Sequence, residues 1–171
     1  MEEYAQAKEN IFSHQGPGDL AIFNQDNDLT RAMAERAPGR VMKFSRRSAL
    51  EEGTYVEHGM IYVAHNGQKR PLFSTDRILI PGQHNVENYL AAIAAVQGMV
   101  SDEVILHTAE TFPGVEHRIE LVRTKDGVRY YNDSSAASPP RTISGPRSFP
   151  PKVLLIDAGS CTQRPSTIRG A

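Results

Sequence analysis

The strongest constraint on the fold is the stretch from His84 to Gly98, where Val86, Tyr89, Leu90, Ile93 and Val96 recur at helical spacing with helix-favouring alanines between them. A helix with one apolar stripe has to bury it against another layer. The segments before it supply candidates. Residues 19–24 (DLAIFN) form a compact apolar run bounded by Gly16-Pro17-Gly18 and a polar Asn-Gln-Asp-Asn turn, which predicts a buried strand. Asn27 or Asp28 then caps a helix that runs through Ala37 and stops at Pro38-Gly39. Residues 40–45 (RVMKFS) alternate as a strand does. Residues 55–64 and 70–74 flank Asn66-Gly67, a hairpin signal because both central residues of such a turn need positive φ.

The flanks extend this order. Residues 2–12 read as a short helix with Tyr4, Ile11 and Phe12 near one face. It opens almost at Met1 without a capping residue, as a chain cut inside a domain would. Ser101-Asp102-Glu103 starts a helix that reaches Phe112 and ends at Pro113-Gly114, the expected domain boundary. Beyond it, residues 117–123 and 128–132 bracket an Asp126-Gly127 turn, a second hairpin. A polar loop over 133–138 leads to Pro139-Pro140 and a short helix that Gly145-Pro146 interrupts. Residues 152–157 (KVLLID) have the composition of a buried parallel strand, and the tail after Gly159 shows no periodicity. The expected class is α/β: a mixed sheet with flanking helices over residues 1–114, and a second domain begun by residues 115–171. That second part offers too little to cover a sheet on both faces, so this end also reads as cut, and open sheet edges would favour aggregation or pairing with a partner.

With 39% hydrophobic and 23% charged residues, the 171-residue chain has the mixture of a soluble globular protein. Its 19 basic residues are scattered and nearly cancel 20 acidic ones, which argues against nucleic acid or an anionic membrane as partner. Nothing approaches the ~20 apolar residues of a membrane span, nor does the start carry a secretory signal, so the expected compartment is cytoplasmic. The single cysteine, Cys161, allows no internal disulfide and no thiolate zinc site.

Four places carry candidate chemistry. Asn85 and Asn88 lie three apart in the first turn of a helix, on one face, where two carboxamides could read a purine edge or hold a ribose. The alternative is that an asparagine there is a cap. Arg118, just past the boundary, could bind phosphate across a cleft or form an interdomain salt bridge. Asp133, in the loop Asp133-Ser134-Ser135-Ala136-Ala137, follows a strand, where α/β proteins place ligand loops; such a composition also makes a plain turn. Lys8, one turn after Tyr4, has the surface coating of a helix as its ordinary reading. The six histidines are dispersed, with no HExxH or CxxC spacing and no GxxxxGK[S/T] phosphate loop.

These segments occur in the order and spacing of the Mur ligases, and the chain resembles that family over nearly its whole length. The matching stretches are AQAKENIF, FNQDNDLT, RVMKFSRR, LIPGQHNVENYLAAIAA, FPGVEHRIELV, DGVRYYNDS and SFPPKVLLIDAG. GQHNxxN is shared across the family, whereas GVEHRIE with YYNDS points to its D-glutamate-adding branch. The resemblance implies the later part of a central ATP-binding domain over residues 1–114 and the start of a Rossmann-like domain over 115–171. It implies an ATP-dependent amide ligase of peptidoglycan synthesis, which converts the carboxylate of UDP-N-acetylmuramoyl-L-alanine to an acyl phosphate for attack by D-glutamate, with magnesium neutralising the phosphates. Lys8 falls on the lysine that family members carbamylate into a magnesium ligand. Asn85 and Asn88 fall on ATP-contacting asparagines, Arg118 on the arginine that holds nucleotide from across the cleft, and Asp133 on the aspartate of the DSKAT loop.

Departures accompany the match. The family's uridine-nucleotide domain, its phosphate loop and the upstream magnesium-holding glutamate and histidine have no counterpart here. Ser135 and Ala137 stand where lysine and threonine are expected, and the GGxDK lysine is absent near Gly159. The chain alone is therefore expected to be inert, its alternative being a non-catalytic remnant or a nucleotide-binding module of the same scaffold. A folylpolyglutamate synthetase is a lesser alternative that GVEHRIE and YYNDS argue against.

Overall fold

The computed structural model describes residues 2–136, 139–149 and 153–156. Helix α1 (Glu2–Glu9) precedes β1 (Leu20–Asn24), α2 (Asp28–Ala34) and β2 (Arg40–Ser45). Three strands follow in succession, β3 (Gly53–Glu57), β4 (Met60–His65) and β5 (Gln68–Ser74), and then helices α3 (Gln83–Val96) and α4 (Asp102–Thr111). A hairpin of β6 (Glu120–Lys125) and β7 (Val128–Asn132) leads to α5 (Pro139–Arg147). The class is α/β with a mixed sheet: the order is β1-β2-β3-β4-β5, parallel from β1 to β3 and antiparallel from β3 to β5. β6 and β7 form a separate two-stranded sheet.

The parallel half is covered on both faces, as parallel sheets generally are. On one face, Ala21 and Phe23 bury themselves with Phe12, Met33 and Ala34, the Phe12 and Phe23 rings meeting edge-on at 5.2 Å. On the other, α3 packs across β1, β2 and β3, and with α4 it brings Leu90, Ile93, Ile105 and Ala109 against Ile61, Val63 and Phe73 of the antiparallel half. Thr54 Oγ1 donates to the Leu90 carbonyl at 2.8 Å, tying β3 to α3 inside this core. Asn27 caps α2 by accepting from the Leu29 and Thr30 amides, which fulfils the capping expectation, although the helix ends at Ala34 and not Ala37.

Among the described residues β1 is the outermost strand of its sheet. Asp19 O accepts from Arg40 N at 2.8 Å and Gln25 N donates to Phe44 O at 2.9 Å, so odd-numbered residues bond to β2 and even-numbered carbonyls point outward. Two of these are occupied: Leu20 O accepts from Gln15 Nε2 at 3.3 Å and Asn24 O from Thr30 Oγ1 at 2.6 Å.

Three expectations need correction. Residues 55–64 are not one strand, because His58 (φ 49) and Gly59 (φ 76) make a tight turn between β3 and β4, with the same backbone as Asn66 (φ 52) and Gly67 (φ 74). α5 continues through Gly145-Pro146; Gly145 packs so closely on Asp133 that a Cβ would lie 2.8 Å from its carboxylate, and this packing offsets the poor helix propensity. Residues 153–156 form no strand, and Leu154 and Ile156 are 86% and 81% exposed. No other strand among the described residues lies beside them, and a parallel strand needs a neighbour to bond. Lys152, Asp157 and the tail with Cys161 lie outside the described residues. Among the described residues no helix is long and apolar enough to cross a membrane.

Candidate functional site

Gly82 begins α3 at φ 104, a conformation that lets Pro81 turn sharply into the helix. A cavity of about 310 Å³ opens between the first turns of α3, the end of α4 and residues 114–119. That is the lower end of the range for small-molecule sites. Its walls include the apolar Ile80, Tyr89 and Phe112, and its polar groups include Asn85, Asn88 and Arg118.

The two carboxamides divide the work. Asn85 is buried; its Nδ2 donates to the Pro81 carbonyl at 2.6 Å, and its Oδ1 accepts from Asn88 Nδ2 at 3.2 Å. It is a strut and not a cap, since Gly82 holds the capping position. Asn88 is exposed, and among the described residues its carboxamide oxygen and one N–H are uncommitted. Arg118 is exposed at the same cavity and makes no ion pair among the described residues. The site thus combines an apolar floor, one free carboxamide and one free guanidinium, which suits a flat, hydrogen-bonding ring attached to an anion.

Burial, and then the Arg118 charge, hold the His84 imidazolium below its ordinary pKa of 6.5, against weaker opposing pulls from Glu87 and Asp133. A histidine whose folded-state pKa is depressed takes its proton more readily when unfolded, so its contribution to stability is complete above pH 6.5 and is lost as pH falls through the folded value. The urea midpoint should decline from pH 6.5 downward, and His84→Gln should flatten that decline; parallel curves for the two proteins would refute it.

Asp133 and Lys8 stand apart from the cavity lining. Asp133 Oδ1 accepts from Ile119 N at 3.2 Å, next to Arg118, while its other oxygen faces Gly145. Lys8 is exposed on α1, its Nζ 5.5 Å from the centre of the Tyr4 ring. The structure therefore brings Asn85, Asn88 and Arg118 together and does not bring Lys8 to them. Magnesium prefers several oxygen ligands in octahedral array. An unmodified Lys8 offers no oxygen ligand, the adjacent Glu9 carboxylate pairs with Arg36, and no cluster of three acidic, histidine or cysteine side chains occurs among the described residues. The residues described here do not fit a magnesium centre.

Tyr89, which the sequence places only in the apolar stripe, and Thr108, which it does not mark, both line the cavity, and Tyr89 Oη donates to Thr108 O at 3.3 Å. Burial raises the Tyr89 phenol pKa, keeping it a donor. The available signal was a polar-tipped aromatic on an otherwise aliphatic helix face.

Residues 1–96, more than half of the chain, match the Mur ligase middle domain. The chain belongs to the Mur ligase family. Over 159 residues it is 50% identical to the UDP-N-acetylmuramoylalanine--D-glutamate ligase of Acetivibrio thermocellus, covering 93% of this chain and 34% of that protein. The ligase of the same description from Clostridium beijerinckii is 46% identical with the same coverage. This Mur ligase chain thus spans about a third of the length of the curated relatives it matches. A solved structure of UDP-N-acetylmuramoylalanyl-D-glutamyl-2,6-diaminopimelate--D-alanyl-D-alanyl ligase from Acinetobacter baumannii shares the Mur ligase fold with a TM-score of 0.62. It is 23% identical and covers 86% of this chain and 33% of that one.

Proposed function

We propose that this chain is the nucleotide side of an ATP-dependent, cytoplasmic ligase that joins D-glutamate to UDP-N-acetylmuramoyl-L-alanine in peptidoglycan synthesis. The observation that carries this reading is the convergence of Asn88 and Arg118, with uncommitted polar atoms, on one apolar cavity. The relatives named UDP-N-acetylmuramoylalanine--D-glutamate ligase support the reaction class. In this reading a domain boundary falls at Pro113-Gly114, so that the cavity lies between residues 1–114 and 115–171. ATP provides the phosphoryl group that activates the substrate carboxylate. The chain's own part is to hold it: Asn85 fixes the first turn of α3, Asn88 bonds the base or ribose edge, and Arg118 meets a phosphate oxygen with a charge-assisted hydrogen bond.

The 171 residues contain no GxxxxGK[S/T] loop, so by themselves they bind nucleotide without forming the amide. Calorimetry with ATP should give weak binding that Arg118→Ala weakens by roughly one to two orders of magnitude and Asn88→Ala by about tenfold. Equal affinity in wild type and Arg118→Ala would sink the reading. Ser135, where the family's loop carries lysine, favours a second reading as a nucleotide-binding module without catalysis. D-glutamate-dependent phosphate release by the purified chain would exclude that module.

A further inference from the structure

Arg118 stands between two residues in the left-handed region, His117 at φ 66 and Ile119 at φ 49. For β-branched Ile119 this backbone is a steric outlier that persists only where its surroundings enforce it. Each of the two has its amide held by a carboxylate. His117 N donates to Glu120 Oε2 at 2.8 Å, and Ile119 N donates to Asp133 Oδ1 at 3.2 Å. Ser135 N closes the turn by donating to His117 O at 3.0 Å, and Asn132 Nδ2 meets His117 Nδ1 at 2.9 Å.

The Ser135 and Asp133 bonds grip the two peptide units that flank the Arg118 Cα, the Glu120 bond holds the unit just before them, and none of the three touches the Arg118 side chain. Both carboxylates spend acceptor capacity on backbone N–H groups, and neither forms an ion pair with the guanidinium. We propose that Glu120, seconded by Asp133, is a positioning residue: it locks residues 117–119 in the left-handed turn that directs Arg118 to the cavity, while leaving the cation free for an anionic ligand. The inference rests on the reading of Arg118 as a nucleotide-phosphate contact.

The test is ATP calorimetry on the full chain, joined to amide exchange at His117 and Ile119. Glu120→Ala should weaken ATP binding roughly tenfold, the size expected from releasing strain at one such turn. Glu120→Gln keeps an acceptor oxygen and should recover most of the affinity. Glycine adopts positive φ freely, so His117→Gly makes the clamp redundant, and adding Glu120→Ala to it should change affinity less than twofold. Wild-type affinity in Glu120→Ala, or a full loss in the double variant, would overturn the proposal. Should wild-type protein bind no ATP, the nucleotide reading fails, and exchange alone judges the clamp: slow His117 exchange accelerated by Glu120→Ala upholds it, and fast exchange in wild type overturns it.

Discussion

Gly53→Ala should unfold the central sheet. Gly53 opens β3 at φ 121, where an alanine is strained, and an added methyl would be driven into the Lys43 carbonyl oxygen of β2. A backbone atom of a paired strand cannot step aside as a flexible side chain would. The β2 to β3 pairing, in which Phe44 faces Thr54 and Ser45 faces Tyr55, would have to open. A loss of about 4 kcal/mol or more is expected, read as a lowered urea midpoint or failure to accumulate folded protein. Gly18→Ala is the control: a Cβ there meets nothing within 4 Å and no positive φ is required, so stability should hold within about 0.5 kcal/mol. A Gly53→Ala midpoint equal to that of the control would contradict the argument.

Leu90→Ala has the next largest effect. Leu90 is fully buried at the centre of the α3 face, among Ile61, Ile93 and Phe73. Truncation removes its transfer free energy and leaves a void that close-packed neighbours fill only in part, about 3 kcal/mol together, or a fall of about 10 °C in Tm. The neighbouring Thr54 to Leu90 hydrogen bond uses the main-chain carbonyl and survives the change, so the loss reports packing alone. Leu154→Ala, at a residue 86% exposed, should leave Tm where it is.

Much of the fold was legible because local signals and tertiary packing agreed. The apolar stripe on α3 meets the sheet it was expected to meet, and the Asn66-Gly67 and Asp126-Gly127 turns have positive φ at both residues. The His58-Gly59 turn was missed although its backbone is the same, since histidine enters the left-handed region less often than asparagine and the surrounding apolar run masked the break. Residues 153–156 (VLLI) depart for the opposite reason: their composition suits a buried strand, but whether one forms depends on a bonding neighbour, which no local pattern encodes. In the site, the shared face of Asn85 and Asn88 follows from helical spacing. Their unequal roles do not, because the Pro81 carbonyl that captures Asn85 is set by a turn upstream. Lys8 reads from the residues as a helix's surface coating, only the resemblance gives it a metal role, and the ring one turn before it is visible in the sequence. Within GVEHRIE nothing sets Glu120 apart as a backbone partner, since the positive φ of His117, whose amide it holds, is not encoded in the local pattern.

The outer side of β1 has a consequence for self-association. An incoming strand would need the Leu20 and Asn24 oxygens as docking points, and both are already spoken for by Gln15 and Thr30. Among the described residues only Ile22 of the outward-pointing carbonyls lacks such an occupant, so a newcomer has to displace two side chains before it gains a continuous ladder. Among the described residues, that flank of β1 is blunted by side chains and not by charge.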